Sequence, residues 1–172
     1  MGKKHTTTVT HLEMSAAPSL HCPPPSGRIA LMRAKDPTIH FYRYIHDTIG
    51  RDYMWVNRRN LSDEALGDII RDDAVEIYIF YKDGVPAGFF ELDFRKPQKA
   101  EFAFLGVMPE FIGQNIGRYL LVEGINRAWQ QDIKQLVIQT CTFDHPRALG
   151  LYQRHGFTPF AQQQTTLEEP DA

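Results

Sequence analysis

A stretch in the second half of the chain combines the residues that bind anions in proteins. It follows an apolar strand that ends at Val107, contains Gly113 and Gly117, and leads directly into a helix. Free backbone amides and a partial positive charge at a helix N-terminus attract anions, and small residues let the backbone approach them closely. Arg118 adds a formal charge. The stretch therefore predicts a diphosphate site, although a plain glycine turn between a strand and a helix has the same composition.

Two common phosphate-binding motifs are absent from this stretch. No Gly-Lys-Ser/Thr follows the glycines, so the loop is not a P-loop. No Gly-x-Gly-x-x-Gly occurs, and the strands before the loop are predicted to be antiparallel, which excludes a dinucleotide fingerprint.

The hydrophobic periodicity places the stretch in a mixed α/β domain. The predicted strands cover residues 6–14, 28–33, 75–82, 85–95, 99–107, 134–142 and, as one or two strands, 158–167. The predicted helices cover residues 36–50, 60–72, 115–131 and 144–156, the last of them capped by Asp144. Strand, helix and strand between residues 99 and 142 imply a right-handed crossover to a parallel neighbour. We assign residues 28–167 to the domain, 1–27 to an N-terminal strand and proline-bearing linker, and 168–172 to a tail.

The glycine-bearing loop resembles motif A of the GNAT superfamily of N-acetyltransferases, Gln/Arg-x-x-Gly-x-Gly/Ala. The matching positions are Val107, Pro109, Gly113, Gly117, Leu120 and Leu121. Ile112 stands where Gln or Arg is usual, and Asn115 stands where the middle glycine is usual. Asparagine tolerates left-handed backbone better than most residues, so we expect the shape of the loop to be kept.

A second block, residues 144–157, resembles motif B of the same family, Asn-x-x-Ala-x-x-x-Tyr-x-x-x-Gly-Phe. Ala148, Tyr152, Gly156 and Phe157 fit in register, while His145 replaces the usual asparagine. The resemblance implies a mixed, mostly antiparallel central sheet with a splayed parallel strand pair, flanked by about four helices.

The resemblance also implies the chemistry, which is direct attack of an amine on the thioester of acetyl-CoA. In the family, pantetheine lies between the two splayed strands and the diphosphate lies at the loop. The expected cofactor-binding residues are Leu105, Gly106, Val107, Ile112, Gly113, Gln114, Asn115, Ile116, Gly117, Arg118 and His145.

Two residues are candidates for proton transfer. Tyr152 occupies the general-acid position of the family, and a phenol with a pKa near 10 can donate a proton to a departing thiolate. Glu101 lies where some members carry a general base, with Glu91 or a water molecule as alternatives. We expect Phe102 and Phe104 to share the face of the strand opposite Glu101. The simpler interpretations, without proton transfer, are that Tyr152 packs its helix on the sheet and that Glu101 faces solvent.

The expected acceptor is the primary amine of a small molecule, aminoglycoside-like or polyamine-like, with a protein amine as the other possibility. Tyr53 and Trp55 lie in the connector that is expected to border it. A non-catalytic acyl-CoA-binding or sensing module is the alternative function. Cys141 and His145, four residues apart, would suit a cysteine hydrolase but lack a visible orienting group.

The bulk composition excludes several other classes of protein. A net charge of -2 at pH 7 argues against a broad basic surface for nucleic acid or acidic membrane. Cys22 and Cys141 have no metal-type spacing, and no apolar run reaches the roughly 18 residues of a membrane span. We therefore expect a cytoplasmic protein with no metal, no nucleic-acid partner and no membrane partner. A homodimer is the commonest default for an oligomer.

Overall fold

The computed structural model describes residues 2–170, which form one seven-stranded sheet with helices on both faces. The strands are β1 (Lys4–Met14), β2 (Ile29–Arg33), β3 (Val75–Lys82), β4 (Val85–Lys96), β5 (Lys99–Val107), β6 (Gln135–Cys141) and β7 (Thr158–Glu168). The helices are α1 (Ile39–Gly50), α2 (Asp63–Ile70), α3 (Ile116–Ala128) and α4 (Ala148–Arg154), with short 3-10 turns at Arg51–Tyr53 and Pro109–Phe111. Each α-helix begins one to four residues later than predicted.

The sheet has the order β2-β3-β4-β5-β6-β1-β7, and every neighbouring pair is antiparallel except β5 and β6. This arrangement confirms the predicted mixed, mostly antiparallel sheet with one parallel pair. The helix α3 supplies the crossover between the two parallel strands.

Two apolar cores cover the two faces of the sheet. On one face, α3 and α4 pack against residues that include Leu12, Met14 and Phe102. The contact of α3 with β5 is close, because a Cβ at Gly124 would lie 2.2 Å from Cζ of Phe102. On the other face, α1 and α2 bury the apolar sides that their helical periodicity predicted.

The N-terminal strand is an interior strand of the sheet. β1 pairs with β6 on one side, where Leu12 lies opposite Ile138, and with β7 along the other side. Residues 1–27 were expected to form an extension outside the domain, whereas β1 lies within its sheet. The β-branched run of β1 fills the gap between β6 and β7, so removal of the strand would leave two unpaired edges.

The two parallel strands separate towards their carboxyl ends. Pairing runs from Lys99 with Gln135 to Phe102 with Ile138 and goes no further, although both strands continue. Beyond this point the backbone groups of β5 that face β6 are free of the ladder. The separation opens a gap in the middle of the sheet.

A β-bulge on β5 lies at the start of this gap. Leu92 of β4 pairs with Phe102, while its neighbour Glu91 pairs with Phe104, so Ala103 is the extra residue. The bulge reverses the alternation of side chains. Phe102 consequently joins the α3 core and Phe104 the α1 core, and the expectation that both share one face is wrong.

Candidate functional site

A cleft of about 840 Å³ occupies the gap between β5 and β6. Its walls come from β5 and β6, the loop before α3, the segment from residue 144 to α4, the connector after α1, and the neighbouring strands β1 and β7. Because the gap passes through the sheet, the cleft has one side towards α3 and α4 and another towards α1.

The loop before α3 lines the cleft with Ile112, Gly113 and Asn115. Gly113 has a φ of +88°, and Asn115 adopts the left-handed conformation at φ +62° as the N-cap of α3. Asn115 thus adopts the left-handed backbone that asparagine tolerates better than most residues. Tyr119 is the first residue of α3 whose N–H bonds a carbonyl four residues earlier, that of Asn115 at 3.2 Å. The N–H groups of the first turn, residues 116–118, are therefore available to an anion.

Arg118 is held at this helix start by a buried histidine. Its Nε donates to Nε2 of His155 at 3.3 Å, and Nδ1 of His155 lies 2.7 Å from the carbonyl oxygen of Leu151. With Nδ1–H as the donor to Leu151, Nε2 is the acceptor for Arg118. Sequence reasoning missed this role of His155, because a histidine before a helix-ending glycine has no signal of its own.

Tyr152 of α4 faces the cleft from the same side. The residue is 8% exposed and borders the gap. Burial, with a smaller contribution from the charge of Asp144, raises the pKa of its phenol well above the ordinary range. The hydroxyl therefore stays protonated at neutral pH.

Every expected cofactor-binding residue except Gln114 lines the cleft. The side chain of Gln114 turns away and accepts a hydrogen bond from Nζ of Lys82. Ile112 is 49% exposed, which places an apolar surface at the rim of the cleft.

Glu101 is not part of the cleft. It pairs with Val137 below the point where the strands separate, and it borders a separate depression of about 160 Å³ with Arg95 and Lys99. The structure thus does not bring the expected general base to the cleft. Sequence spacing could not show this, because the point at which β5 separates from β6, after Phe102, is set by pairing between strands that are distant in the chain.

Glu91, the alternative base, is fully buried beneath the cleft. Its Oε2 accepts from Tyr42 at 2.7 Å and its Oε1 from Nη2 of Arg58 at 2.6 Å. Burial raises the pKa of Glu91, and the Arg58 guanidinium opposes that rise. The ion pair of Glu91 with Arg58 fixes the connector to β4. Both carboxylate oxygens of Glu91 already accept hydrogen bonds, so neither is free for a substrate.

Asp144 does not cap α4, which begins at Ala148 with Arg147 as its N-cap. Instead, Oδ2 of Asp144 accepts from Oγ1 of Thr140 at 2.9 Å and from the N–H of Cys141 at 2.8 Å. An aspartate can cap a helix or accept hydrogen bonds from the end of a strand. The sequence alone could not show which of these two roles Asp144 has.

Trp55 bridges the gap on the α1 side. Its Nε1 donates to Oδ1 of Asp144 at 3.2 Å, and its ring lies against β5, where a Cβ at Gly106 would approach Cη2 to 2.9 Å. A glycine within a strand often marks the close approach of another group, so Gly106 was the one signal in the sequence for this contact.

Cys141 and His145 both border the cleft but do not form a catalytic pair. Nδ1 of His145 accepts from the backbone N–H of Arg147 at 3.1 Å, and within residues 2–170 no hydrogen bond joins the imidazole to the thiol. In the same part of the chain, no group of three or more His, Cys, Asp or Glu side chains is arranged to hold a metal ion. Nor does any helix there have the length and apolar character to cross a membrane.

The model of the GNAT acetyltransferase family matches residues 33–157. The fold is similar to a GNAT-family acetyltransferase from Novosphingobium aromaticivorans DSM 12444, with a TM-score of 0.68, 15% identity and coverage of 97% of this chain and 66% of that one. It is similar to the aminoglycoside acetyltransferase meta-AAC0020 from an uncultured soil metagenomic sample, with a TM-score of 0.59, 13% identity and coverage of 73% and 86%. It is also similar to the ribosomal-protein-S18-alanine N-acetyltransferase of Escherichia coli, with a TM-score of 0.63, 14% identity and coverage of 84% and 96%.

Several similar structures belong to longer proteins, and this chain spans 53% to 66% of their length. No curated protein sequence matches the chain.

Proposed function

Since the chain belongs to the GNAT family of acetyltransferases, we propose that it transfers the acetyl group of acetyl-CoA to a primary amine. The observation that carries this proposal is the gap between β5 and β6, with unpaired amides at one end and a protonated Tyr152 at its wall.

The cleft suits the two parts of the donor that need specific recognition. The diphosphate would accept hydrogen bonds from the amides of residues 116–118 and meet the charge of Arg118. The pantetheine would lie along β5 in the place of a missing strand neighbour. Since the N–H of Met108 bonds Ala87 on β4 at 2.8 Å, the N–H of the preceding Val107 points the other way, into the gap.

The reaction needs one bond to form and one to break. The amine nitrogen attacks the carbonyl carbon of the thioester, and the bond between that carbon and sulfur breaks. The thiolate takes a proton from Tyr152, which is protonated at neutral pH, and the resulting phenolate regains a proton from water. Glu101 and Glu91 do not line the cleft, and both oxygens of Asp144 already accept hydrogen bonds, so we propose that water accepts the proton lost by the amine.

Two measurements test the proposal together. Acetyl-CoA should raise the melting temperature of the protein, and thiol should be released when an amine acceptor is added. Absence of any stabilisation at millimolar acetyl-CoA would exclude both acetyl transfer and acyl-CoA binding.

A non-catalytic acyl-CoA-binding module is the second candidate. The absence of Glu101 and Glu91 from the cleft and the apolar Ile112 at its rim favour it. Stabilisation by acetyl-CoA without thiol release from any amine would establish this second function.

A further inference from the structure

On the α1 side of the cleft, the geometry points to an acceptor amine that is carried on a neutral body with hydroxyl or amide groups, and not on a polycation. This inference rests on the proposed acetyl transfer and concerns the acceptor part of the same cleft.

The acceptor wall comes from two strands outside the β5–β6 pair. Thr7 and Val9 lie on the face of β1 opposite Leu12, which belongs to the α3 core. Thr7 pairs with Thr165 of β7, and Val9 pairs with Gln163. These four side chains therefore share the face of the sheet towards α1. The diphosphate loop and Tyr152 lie towards the opposite face, which leaves this wall to the acceptor.

The polar groups of this wall are uncharged. Gln163 and Thr165 of β7 and Asn57 of the connector present an amide, a hydroxyl and a second amide. Within the described residues none of the three side chains has a hydrogen-bond partner, whereas Gln162, on the other face of β7, donates to Thr10 at 3.0 Å. Free amides and hydroxyls bind the same kinds of group on a ligand.

The charges around the cleft disfavour a ligand with several ammonium groups. Among the described residues that line it, Asp144 is the one carboxylate, and its oxygens already accept from Trp55, Thr140 and the N–H of Cys141. The lining cations are Arg118, Arg147 and Arg154. A second ammonium on the acceptor would therefore lose water and meet no free carboxylate.

Aromatic surface completes the acceptor side. Tyr53 and Trp55 both line the cleft, with ring centroids 6.2 Å apart. Flat apolar rings next to free amides and hydroxyls suit the body of an amino sugar or of an amino-acid amide.

A matched pair of acceptors isolates the charge. 3-Amino-1-propanol and 1,3-diaminopropane differ by a hydroxyl in place of an ammonium, and thiol release with saturating acetyl-CoA gives kcat/KM for each. We expect the amino alcohol to be the better acceptor by about tenfold. Equal or better use of the diamine would overturn the inference. Glucosamine and glycinamide then distinguish a hydroxyl-bearing body from an amide-bearing one.

A second test introduces a negative charge on the acceptor wall. Gln163→Glu should shift the ratio of kcat/KM towards the diamine by about tenfold, because it supplies a free carboxylate on the acceptor face. Gln164→Glu is the matched control, since Gln164 pairs with Thr8, lies on the opposite face of β7 and does not line the cleft. An equal shift in both variants would contradict the assignment of the wall.

Binding separates this inference from the proposed reaction. Ligand-observed NMR of the two acceptors with the protein and CoA ranks their affinities without turnover. If no amine releases thiol, acetyl transfer fails, yet preferential binding of the amino alcohol would still support the acceptor class and preferential binding of the diamine would overturn it.

Discussion

The indole N–H of Trp55 donates to Oδ1 of Asp144 over 3.2 Å, and this bond joins the connector after α1 to the segment after β6. The two residues are far apart in the chain and meet across the gap between the parallel strands. Their contact places the indole ring next to Gly106, one of the residues expected to bind the cofactor.

Trp55→Phe removes this hydrogen bond while it keeps most of the ring. We expect the free energy of unfolding to fall by about 1 kcal/mol, the usual net value of one hydrogen bond, and kcat/KM for the acceptor to fall. Denaturant unfolding and steady-state kinetics measure both effects. Tyr53→Phe, which removes a hydroxyl from the neighbouring ring, should leave stability unchanged. Equal losses in the two variants would show that the bond to Asp144 has no special role.

Tyr152→Phe removes the proposed proton donor and preserves the packing of α4. We expect kcat to fall by about 10²-fold, with little change in the affinity for acetyl-CoA. Stopped-flow thiol release and calorimetric titration separate the two quantities. Full turnover by the variant would exclude Tyr152 as the acid.

The same variant should change the response to alkaline pH. Burial raises the pKa of Tyr152 in the folded protein, so the unfolded chain loses this proton first. The associated stability is complete below the ordinary tyrosine pKa of about 10 and is lost as the pH rises towards the raised folded value. Melting temperatures above pH 10 should therefore fall less steeply for Tyr152→Phe than for the unaltered protein, and parallel curves would contradict the shift.

Arg118→Ala tests the diphosphate site. We expect the Kd for acetyl-CoA to rise about tenfold, the usual scale for the loss of one charge-assisted contact. Arg28→Ala is a suitable control, because the Arg28 side chain is 91% exposed and lies outside the cleft. His155→Phe should weaken binding less than Arg118→Ala does, since it frees the guanidinium without removing it. Unchanged affinity in Arg118→Ala would place the diphosphate elsewhere.

Substitution of the two glutamates should give opposite results. Glu101→Gln is expected to keep both turnover and stability, because the residue lies outside the cleft. Glu91→Gln leaves the buried Arg58 charge without its partner, so the free energy of unfolding should fall by about 3 kcal/mol. Thermal and chemical unfolding report the second effect. A large kinetic loss in Glu101→Gln with normal folding would restore it as the general base.

Gly106→Ala tests how closely the connector approaches β5. The new Cβ would lie 2.4 Å from Cγ2 of Ile49 and 2.9 Å from Cη2 of Trp55, so stability should fall by about 1–3 kcal/mol. Gly67→Ala is the matched control in α2, where the added atom meets its nearest neighbour at 3.5 Å. Its stability should stay the same or rise slightly, since alanine favours a helix. A Gly106→Ala variant of unchanged stability would show that Ile49 and Trp55 can move away from β5 at little cost.

Much of the donor side was predictable from the sequence. The left-handed Asn115 and the free amides after it follow from local rules about loops and helix starts, which depend on a few consecutive residues. The position of Tyr152 on the cleft followed from the spacing of its motif.

The prediction failed where long-range pairing decides which way a side chain points. Pairing with Val137 of β6 keeps Glu101 outside the gap, and one inserted residue, Ala103, reverses the alternation along the rest of β5. Asp144 accepts a hydrogen bond from Trp55 instead of capping α4, because the segment after β6 makes an extra turn before α4 begins at residue 148. Neither effect has a signature within a short stretch of sequence.

The sequence by itself indicated the family through the resemblance of two motifs, and local periodicity and spacing determined the order of the elements and the loop that is proposed to bind a diphosphate. Only the tertiary structure decided that β1 lies between β6 and β7, and that Thr7, Gln163 and Thr165 share one wall of the cleft. Strands that are distant in the chain reveal their neighbours only when they pair, so the acceptor side of the cleft became visible only in the folded protein.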